Sequence, residues 1–309
     1  MISRPRRKTV LALSLIAVLL SACSFDPNVR KQKFFQSGQS YFEKGKYQEA
    51  AIEFTNAIKV DPGYADAHFQ LAETYLRLQQ QDRAYQELNR TVELRPEDYH
   101  TRIELTNLLI LSRNFQPAQE QMDLLLKTRP SDPGVHALAS SLLAAQGRIS
   151  GAIAETEKTI ALAPNRWETY LSLGLLQVKD NQPDAAEQSF KKVIELDPKE
   201  MQPHLVLGSF YQAHARSGEA EQQFQAALAL DPGSVDPRRA LAGLYLAEGK
   251  RTDAENILKQ ARHDLAQNPA SILALSNFYF STGDVDKAVS EYQELYQERP
   301  NDLQVKKKY

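Results

Sequence analysis

Prolines recur at a spacing of 34 residues through most of this chain, and a set of alanines recurs with the same period. The prolines are Pro62, Pro96, Pro130, Pro164, Pro198 and Pro232, with Pro300 two periods further on. The alanines are Ala50, Ala84, Ala118, Ala152, Ala186, Ala220, Ala254 and Ala288. A constant period of about 20–50 residues is typical of a protein built from stacked copies of one supersecondary unit. The period predicts eight copies without insertion, at 31–64, 65–98, 99–132, 133–166, 167–200, 201–234, 235–268 and 269–302.

The residues within one copy predict two helices separated by a turn. In the first copy Phe34, Gly38 and Tyr41 are spaced by four and then three residues, so they share one face of a helix. Gly45 favours the end of that helix, because glycine adopts the left-handed backbone conformation without a Cβ clash. A second helix continues until Pro62, which lacks an amide hydrogen and obstructs the preceding helical turn.

The recurring order of aromatic, small residue, tyrosine, alanine, phenylalanine, alanine and proline resembles the tetratricopeptide repeat across 31–302. The resemblance implies an all-α protein, a right-handed α-solenoid of about eight 34-residue helix-turn-helix repeats. Four copies depart from the pattern, and in the third and fifth copies Leu109 and Gln177 replace the tyrosine. Thr156 and Thr159 on the second helix of the fourth copy predict loose packing there. Ala266 replaces proline in the seventh copy, so we expect its second helix to run on to Asn268.

The N-terminus predicts an export signal. Four basic residues lie between positions 4 and 8, and an apolar run extends from Val10 to Leu20. That run of about eleven residues is too short for a membrane-spanning helix, which needs about 20. It leads into Leu-Ser-Ala-Cys, ending at Cys23, which resembles the bacterial lipobox. The resemblance implies that a signal peptide, 1–22, is removed and that the thiol of Cys23 is acylated.

Lipidation of Cys23, the one cysteine of the chain, predicts an anchor to a membrane of the cell envelope, facing the periplasm, with 23–30 as a lipidated tether. The resemblance implies that aspartate directly after the cysteine would retain the protein at the inner membrane. Ser24 stands there instead, which favours the outer membrane. Two alternatives remain open, namely an ordinary cleaved signal with an incidental cysteine and a buried cysteine in a cytosolic protein. At the other end 303–309 form a C-terminal stub of about two helical turns, marginal as a capping helix. Either the eighth copy caps itself or the chain is a piece of a longer protein.

The sequence contains no glycine-rich phosphate loop, zinc-protease motif or nucleophile elbow. We therefore expect a protein that is not an enzyme and that has no cofactor, metal site or small-molecule substrate. Removing 1–22 changes the formal net charge from −2 to −6, because four basic residues and no acidic one are lost. That charge disfavours nucleic acid as a partner. The expected partners are proteins or peptides, together with the membrane reached by the lipid.

Three histidines, His68, His136 and His204, lie 68 residues apart at the fourth position of their copies. They could form a ladder of metal-binding or pH-sensing groups. The favoured interpretation is that this position accepts a large planar side chain for packing. Copies two apart are too distant for shared metal bonds of about 2 Å. Arg238 and Arg239 open the seventh copy and are expected in solvent.

The resemblance also implies a concave face lined by the first helix of each copy, where a partner would bind. The predicted groove residues are Phe35, Gln39, Phe69, Glu73, Ile103, Asn107, Leu171, Leu205, Ser209, Leu273 and Asn277. An apolar row beside a polar row suits an extended peptide or a partner helix. Alternatively, the apolar members only pack between neighbouring helices. The lysine of the chaperone-type carboxylate clamp is missing from this row.

We expect a lipid-anchored periplasmic scaffold that assembles an envelope machine for pilus biogenesis, secretion or exopolysaccharide export. One alternative is a sensor or regulatory part of a longer protein whose effector or catalytic domain lies beyond residue 309. Another is a cytosolic co-chaperone. The missing clamp lysine and the export signal both argue against that second alternative.

Overall fold

The computed structural model describes residues 26–266, 268–298 and 300, and within these ranges the regular structure consists of sixteen α-helices. In chain order they are α1 (Pro27–Glu43), α2 (Tyr47–Val60), α3 (Ala65–Arg77), α4 (Gln81–Leu94), α5 (Tyr99–Leu111), α6 (Phe115–Thr128), α7 (Pro133–Ala145), α8 (Ile149–Leu162), α9 (Trp167–Lys179), α10 (Pro183–Leu196), α11 (Met201–Ala213), α12 (Ser217–Leu230), α13 (Asp236–Ala247), α14 (Arg251–Asp264), α15 (Pro269–Ser281) and α16 (Val285–Glu298). Odd-numbered helices are the first helices of repeats 1 to 8, and even-numbered helices are the second. The predicted signal peptide (1–22), Cys23 and the stub (303–309) lie outside the described residues.

Helices α2, α4 and the later second helices each begin 34 residues after the one before, which confirms the predicted repeat. The chain divides into two compact units, Met1–Leu162 and Ala163–Tyr309. The first unit therefore contains repeats 1 to 4 and the second contains repeats 5 to 8. In each unit the buried core lies along the contacts between successive helices.

Helix α1 starts earlier than the sequence predicted. Its first turn includes 27–30, which we had assigned to the tether. The Asp26 side chain accepts a hydrogen bond of 2.8 Å from the amide of Asn28, which caps the helix. Pro27 suits the first helical position, because an amide hydrogen there would have no partner within the helix.

Helix α14 ends at Asp264, so the prediction that it would continue to Asn268 is wrong. Asn268 instead caps the next helix, since its side chain accepts a hydrogen bond of 3.0 Å from the amide of Ala270. Pro269 holds the residue before it out of the helical region of backbone space. Helix α14 thus ends at the same repeat position as the other second helices, although this repeat lacks the turn proline.

The turn inside each repeat contains one residue with a left-handed backbone. Glycine takes this place in four repeats, as Gly45 does with φ of 71°, and Asn181 takes it in repeat 5 with φ of 59°. Gln79, Arg113 and Ala215 adopt the same conformation with φ of 57–59°. A residue with a Cβ is strained there by about 1–2 kcal/mol. The packing of the two helices therefore imposes the turn, and the local sequence does not.

In several repeats a small residue of the first helix faces a large residue of the second helix. In three repeats a glycine lies under a phenylalanine ring, and a Cβ on Gly208 would fall 2.4 Å from the Cε1 atom of Phe224. The other two pairs are Gly38 with Phe54 and Gly174 with Phe190. All three rings are buried. The glycines thus let the two helices of a repeat approach until the ring contacts the opposing backbone.

The prediction of loose packing in repeat 4 is wrong. Thr156 and Thr159 are both buried, and the Thr156 hydroxyl lies 2.7 Å from that of Ser140. Both of these hydroxyls also lie 2.9 Å from the carbonyl of Ala152. Thr159 donates to the carbonyl of Glu155 at 3.0 Å. Serine replaces the glycine and threonine the ring, so the interface stays filled and its polar atoms are hydrogen-bonded.

The three evenly spaced histidines are bonded within the chain, which agrees with the packing interpretation. The two ring nitrogens of His68 lie 2.5 Å from a Glu87 carboxylate oxygen and 3.1 Å from the carbonyl of Pro62. His136 makes the equivalent contacts at 2.6 and 2.9 Å, and His204 lies 2.8 Å from the Gln223 side-chain oxygen. Since Pro62 belongs to the preceding repeat, the histidine links two repeats.

Arg238 occupies the same fourth position in repeat 7, and its predicted exposure is wrong. The residue is only 6 % exposed and donates to the carbonyls of Pro232 and Ser234 at 2.7 and 3.1 Å. Arg239 is exposed, as predicted. A long donor thus replaces histidine as the link to the preceding turn.

The glycine contacts generate a test with a matched control. We expect Gly208→Ala to lower the free energy of unfolding by about 1–3 kcal/mol, because the added methyl group displaces the Phe224 ring. Gly243→Ala, in helix α13, should raise it by about 0.5–1 kcal/mol, since no atom lies within 4 Å of the new Cβ. Chemical denaturation of both variants measures the difference. Equal effects would show that the glycine contact does not set the helix spacing.

Candidate functional site

One of the predicted groove residues, Phe35, is a packing residue. It is 9 % exposed, and its ring centroid lies 5.7 Å from that of Phe54 and 5.1 Å from that of Tyr64. Because its neighbours come from the second helix of its own repeat and from the end of that repeat, a partner could not contact most of its surface. The alternative interpretation, packing between helices, is therefore correct at this position.

The remaining predicted residues of the first unit lie partly exposed on first helices. They are Gln39, Phe69, Glu73, Ile103 and Asn107. The Phe69 ring centroid lies 5.4 Å from that of His100, which joins helix α3 to helix α5 at the surface. These five side chains are therefore partly open to solvent, and their role in binding a partner stays a prediction.

On this surface the carboxyl group of Glu73 has a pKa above its ordinary value. Partial burial, together with the negative charge of Glu104, raises the pKa of Glu73, and Arg77 and His100 oppose the shift only in part. No hydrogen bond or ion pair reaches the Glu73 carboxylate from the described residues. The first-helix surface of this unit therefore holds an ionisable group that a cationic partner could stabilise.

The second unit has an open cavity of about 430 Å³ between helices α9, α10 and α11. Leu175 and Val178 of α9 form one wall and are 54 % and 44 % exposed. The full lining is Leu175, Val178, Phe190, Gln202, Leu205, Val206, Ser209, Phe210, Ala213 and His214. None of these side chains is an acid, a lysine or an arginine. The cavity therefore favours uncharged, apolar groups.

Aromatic rings form the floor of this cavity. The ring centroids of Phe190 and Phe210 lie 5.6 Å apart with their planes at 64°, an edge-to-face arrangement that stabilises aromatic pairs. The His214 ring lies 4.3 Å from that of Phe210. The Nδ1 atom of His214 lies 2.8 Å from the Phe210 carbonyl, so this nitrogen carries the proton and donates. The floor is held in place before any partner binds.

The groove continues from this cavity toward helix α13. A second opening of about 360 Å³ shares Gln202, Leu205 and Ser209 with the first. At its far side Asp236 and Arg239 lie 3.5 Å apart and form an exposed ion pair. The second unit thus has one continuous surface groove, apolar at the α9 end and charged at the α13 end.

The structure places only part of the predicted set in this groove. Leu205 and Ser209 line it, whereas Leu171 is half-buried against the core and Leu273 packs against Ile272 and Leu295. Asn277 is exposed on α15 and accepts a hydrogen bond of 2.8 Å from the Tyr292 hydroxyl.

Sequence reasoning missed Val178 and Phe210 as groove residues. Leu175 occupies the same repeat position as the predicted groove residue Ser209. Val178 lies three residues after Leu175, so the helical period places it on the same face. Phe210 had no such signal, because a buried aromatic residue in a helix normally belongs to the core.

The described part of the chain has no helix with both the length and the apolar character needed to cross a membrane. Its histidine and acidic side chains, in the same ranges, do not gather in threes as metal ligands would. The groove lining supplies apolar surface, the hydroxyl of Ser209, the amide of Gln202 and, at one end, the Asp236–Arg239 ion pair. Such a surface binds by hydrophobic burial and hydrogen bonding.

Comparison with known families agrees with the geometry. Models described as tetratricopeptide repeats match residues 65–98, 171–235, 211–270 and 245–308, and one described as a TPR repeat matches 38–79. Together these matches cover more than half of the sequence. The chain belongs to the tetratricopeptide-repeat family. No curated protein matches this tetratricopeptide-repeat protein in sequence.

Solved structures resemble this tetratricopeptide-repeat protein in fold. PilW, described as a widely conserved type IV pilus biogenesis factor, superposes with a TM-score of 0.57 at 20 % identity over 68 % of this chain and 98 % of its own. The C-terminal part of a TPR protein from Cytophaga hutchinsonii gives 0.58 at 17 % identity over 78 % and 99 %. MamA from Desulfovibrio magneticus RS-1 gives 0.52 at 17 % identity over 55 % and 97 %. At these identities the likeness shows the fold alone.

The environment of Glu73 predicts a pH-dependent effect of Glu73→Gln. Because the pKa of Glu73 is higher in the folded protein than its ordinary value of 4.5, the ionised carboxylate destabilises the folded state at a pH above the folded-state pKa. At a pH below 4.5 the carboxyl is protonated in both the folded and the unfolded state, so this destabilisation disappears. We expect the substitution to raise the free energy of unfolding by up to about 1 kcal/mol at pH 7 and to leave it unchanged near pH 4. Denaturation at both pH values measures this. Glu157→Gln, at an exposed carboxylate, is the control, and an equal gain there would contradict the prediction.

Proposed function

We propose that this tetratricopeptide-repeat protein is a lipid-anchored periplasmic scaffold that holds a protein or peptide partner in the groove between α9 and α13. The observation that carries the proposal is the uncharged cavity beside the exposed side chains of Leu175 and Val178. Large apolar side chains exposed beside a preformed cavity mark a binding surface more often than they mark a solvated one. The scaffold would act by positioning its partner and not by chemistry.

The groove chemistry indicates what the partner must present. An apolar or aromatic side chain would enter the cavity over the Phe190 and Phe210 rings and gain about 25 cal/mol for each Å² of apolar surface removed from water. Gln202 and Ser209 on the rim offer an amide and a hydroxyl to the partner backbone. Asp236 and Arg239 can pair with charges at the other end. An amphipathic segment fits this arrangement.

The proposed anchor places this groove in the cell envelope. Each acyl CH₂ buried in a bilayer contributes about 0.8 kcal/mol, so two or three chains on Cys23 would hold the protein at the membrane. Its partner search would then be two-dimensional. The fold likeness to PilW makes type IV pilus assembly the first system to test, followed by secretion and exopolysaccharide export.

Site-specific crosslinking tests the groove. A photo-reactive residue at Leu175 should capture a single envelope protein in the native host, and Val178→Asp should abolish that capture, because it places a charge in the apolar cavity. Leu111→Asp is the matched control, since Leu111 is a highly exposed leucine of the first unit. Capture that survives Val178→Asp, or that Leu111→Asp also removes, would place the partner elsewhere.

The lipid anchor has its own test. Globomycin, which blocks cleavage of lipoprotein signals, should cause the uncleaved precursor to accumulate, and Cys23→Ser should move the protein from the membrane fraction to another fraction. The control is Ser21→Ala, which keeps the cysteine and leaves a small residue within the export signal. A chain that is processed normally in globomycin would contradict the lipoprotein assignment without affecting the groove.

A further inference from the structure

Three junctions between repeats of the second unit share one polar arrangement. At each, a tyrosine hydroxyl on a first helix donates to a glutamate on the second helix of the preceding repeat. The pairs are Tyr211 with Glu187 at 3.0 Å, Tyr245 with Glu221 at 2.7 Å, and Tyr279 with Glu255 at 3.0 Å. A cation lies over each tyrosine ring, namely Arg216 at 4.3 Å, Lys250 at 5.9 Å and Lys287 at 5.1 Å from the centroid. A carboxylate, a phenol and a cation therefore recur together.

At two of these junctions a cation also approaches the glutamate carboxylate directly. At the junction of repeats 5 and 6 Arg216 hydrogen-bonds both oxygens of Glu187 and, helped by Lys191 and Tyr211, lowers the pKa of Glu187 to about 2. At the last junction Lys287 Nζ lies 3.7 Å from Glu255 Oε1. The fold can therefore hold an anion at this place.

The first junction, between repeats 1 and 2, has the phenol and the cation but no carboxylate. Tyr75 and Arg83 lie six periods before Tyr279 and Lys287, and the Arg83 guanidinium carbon lies 4.3 Å from the Tyr75 ring centroid. Ala51 stands where Glu255 stands at the last junction. In the described chain the Tyr75 hydroxyl has no hydrogen-bond partner, and Arg83 donates only to Gln80, at 2.8 Å.

An open cavity of about 360 Å³ lies where Ala51 stands in place of the glutamate. Its lining residues include a second cation, Lys59, and Ile52, which is 60 % exposed. The full lining is Gln48, Ala51, Ile52, Thr55, Asn56, Lys59, Tyr75, Leu78, Gln80 and Arg83, which contains no acid. None of these residues belongs to the predicted first-helix groove. The cavity therefore combines two cations, a phenol hydroxyl without a partner among the described residues, and exposed apolar surface.

We propose that this cavity binds a glutamate side chain of an acidic segment in a partner protein, in the place that Glu255 fills at the last junction. Stacking on the Tyr75 ring holds the Arg83 guanidinium in position. The N–H groups of Arg83 that do not bond Gln80, together with the Tyr75 hydroxyl, donate to the incoming carboxylate. An apolar neighbour of that glutamate packs on Ile52. The site is a second contact surface, and it does not depend on the groove of the second unit.

The first test supplies the missing carboxylate from within. Ala51→Glu places a glutamate side chain beside Tyr75 and Arg83, whereas Ala51→Gln adds the same bulk and a similar helix propensity without the charge. We expect the Glu variant to have a Tm a few degrees above that of the Gln variant, and the gap to shrink in high salt. A Glu variant no more stable than the Gln variant overturns the proposal, because the cavity then does not favour a carboxylate.

The second test measures binding of an external glutamate. Fluorescein-labelled peptides that each contain one Glu-Leu pair, with Gln-Leu versions as counterparts, are titrated with the full chain and followed by anisotropy. We expect glutamate peptides to bind about tenfold more tightly than their counterparts, and Ala51→Glu and Arg83→Gln each to remove that difference.

Two controls separate this site from its surroundings. Arg90→Gln, at an exposed arginine outside the cavity, should leave binding unchanged, and so should Val178→Asp in the groove of the second unit. A peptide set in which no glutamate version exceeds its glutamine counterpart overturns the proposal. Equal losses from Arg83→Gln and Arg90→Gln also overturn it, since binding would then reflect general charge. Loss through Val178→Asp would assign the peptides to the groove.

Discussion

The contact between a small residue of the first helix and a large residue of the second sets the geometry of this fold. Where glycine faces phenylalanine, the ring lies so close that no Cβ fits at the glycine. Helix spacing inside the repeat follows from that contact. The spacing in turn decides which residues of the first helix point away from its partner, and these are the residues that form the groove walls. Binding surface and core packing are consequences of the same pairing.

Polar groups link neighbouring repeats in addition to the apolar core. His68, His136 and Arg238 reach from the fourth position of their repeats to a proline carbonyl in the preceding turn, which satisfies a backbone acceptor between the repeats. The tyrosine–glutamate pairs join the second helix of one repeat to the first helix of the next. Where alanine stands in place of the glutamate, at Ala51, an open cavity lies beside the tyrosine and the cation.

Most of the fold could be predicted from sequence, because the period and the positions of glycine and proline are local signals. Two errors concern local caps, Asp26 at the start of α1 and Asn268 before α15, and other errors come from contacts between residues distant in sequence. Thr156 fits its helix because Ser140 lies opposite it, and Phe35 is a packing residue because the ring of Tyr64 lies against it. Leu205 and Ser209 were identified as groove residues by their position in the repeat. Phe210 was not identified, because only the tertiary structure shows that this largely buried ring also lines the cavity.

The left-handed residue in each turn has a consequence for how such proteins diversify. Gln79, Arg113, Asn181 and Ala215 make the same turn as the glycines, and the residue at this place is exposed in every repeat. Because the surrounding helices enforce the backbone, different side chains can occupy this position at a strain of about 1–2 kcal/mol and still keep the architecture. The protein therefore carries a regular series of variable surface positions, one for each repeat, where new recognition could arise at a limited cost in stability.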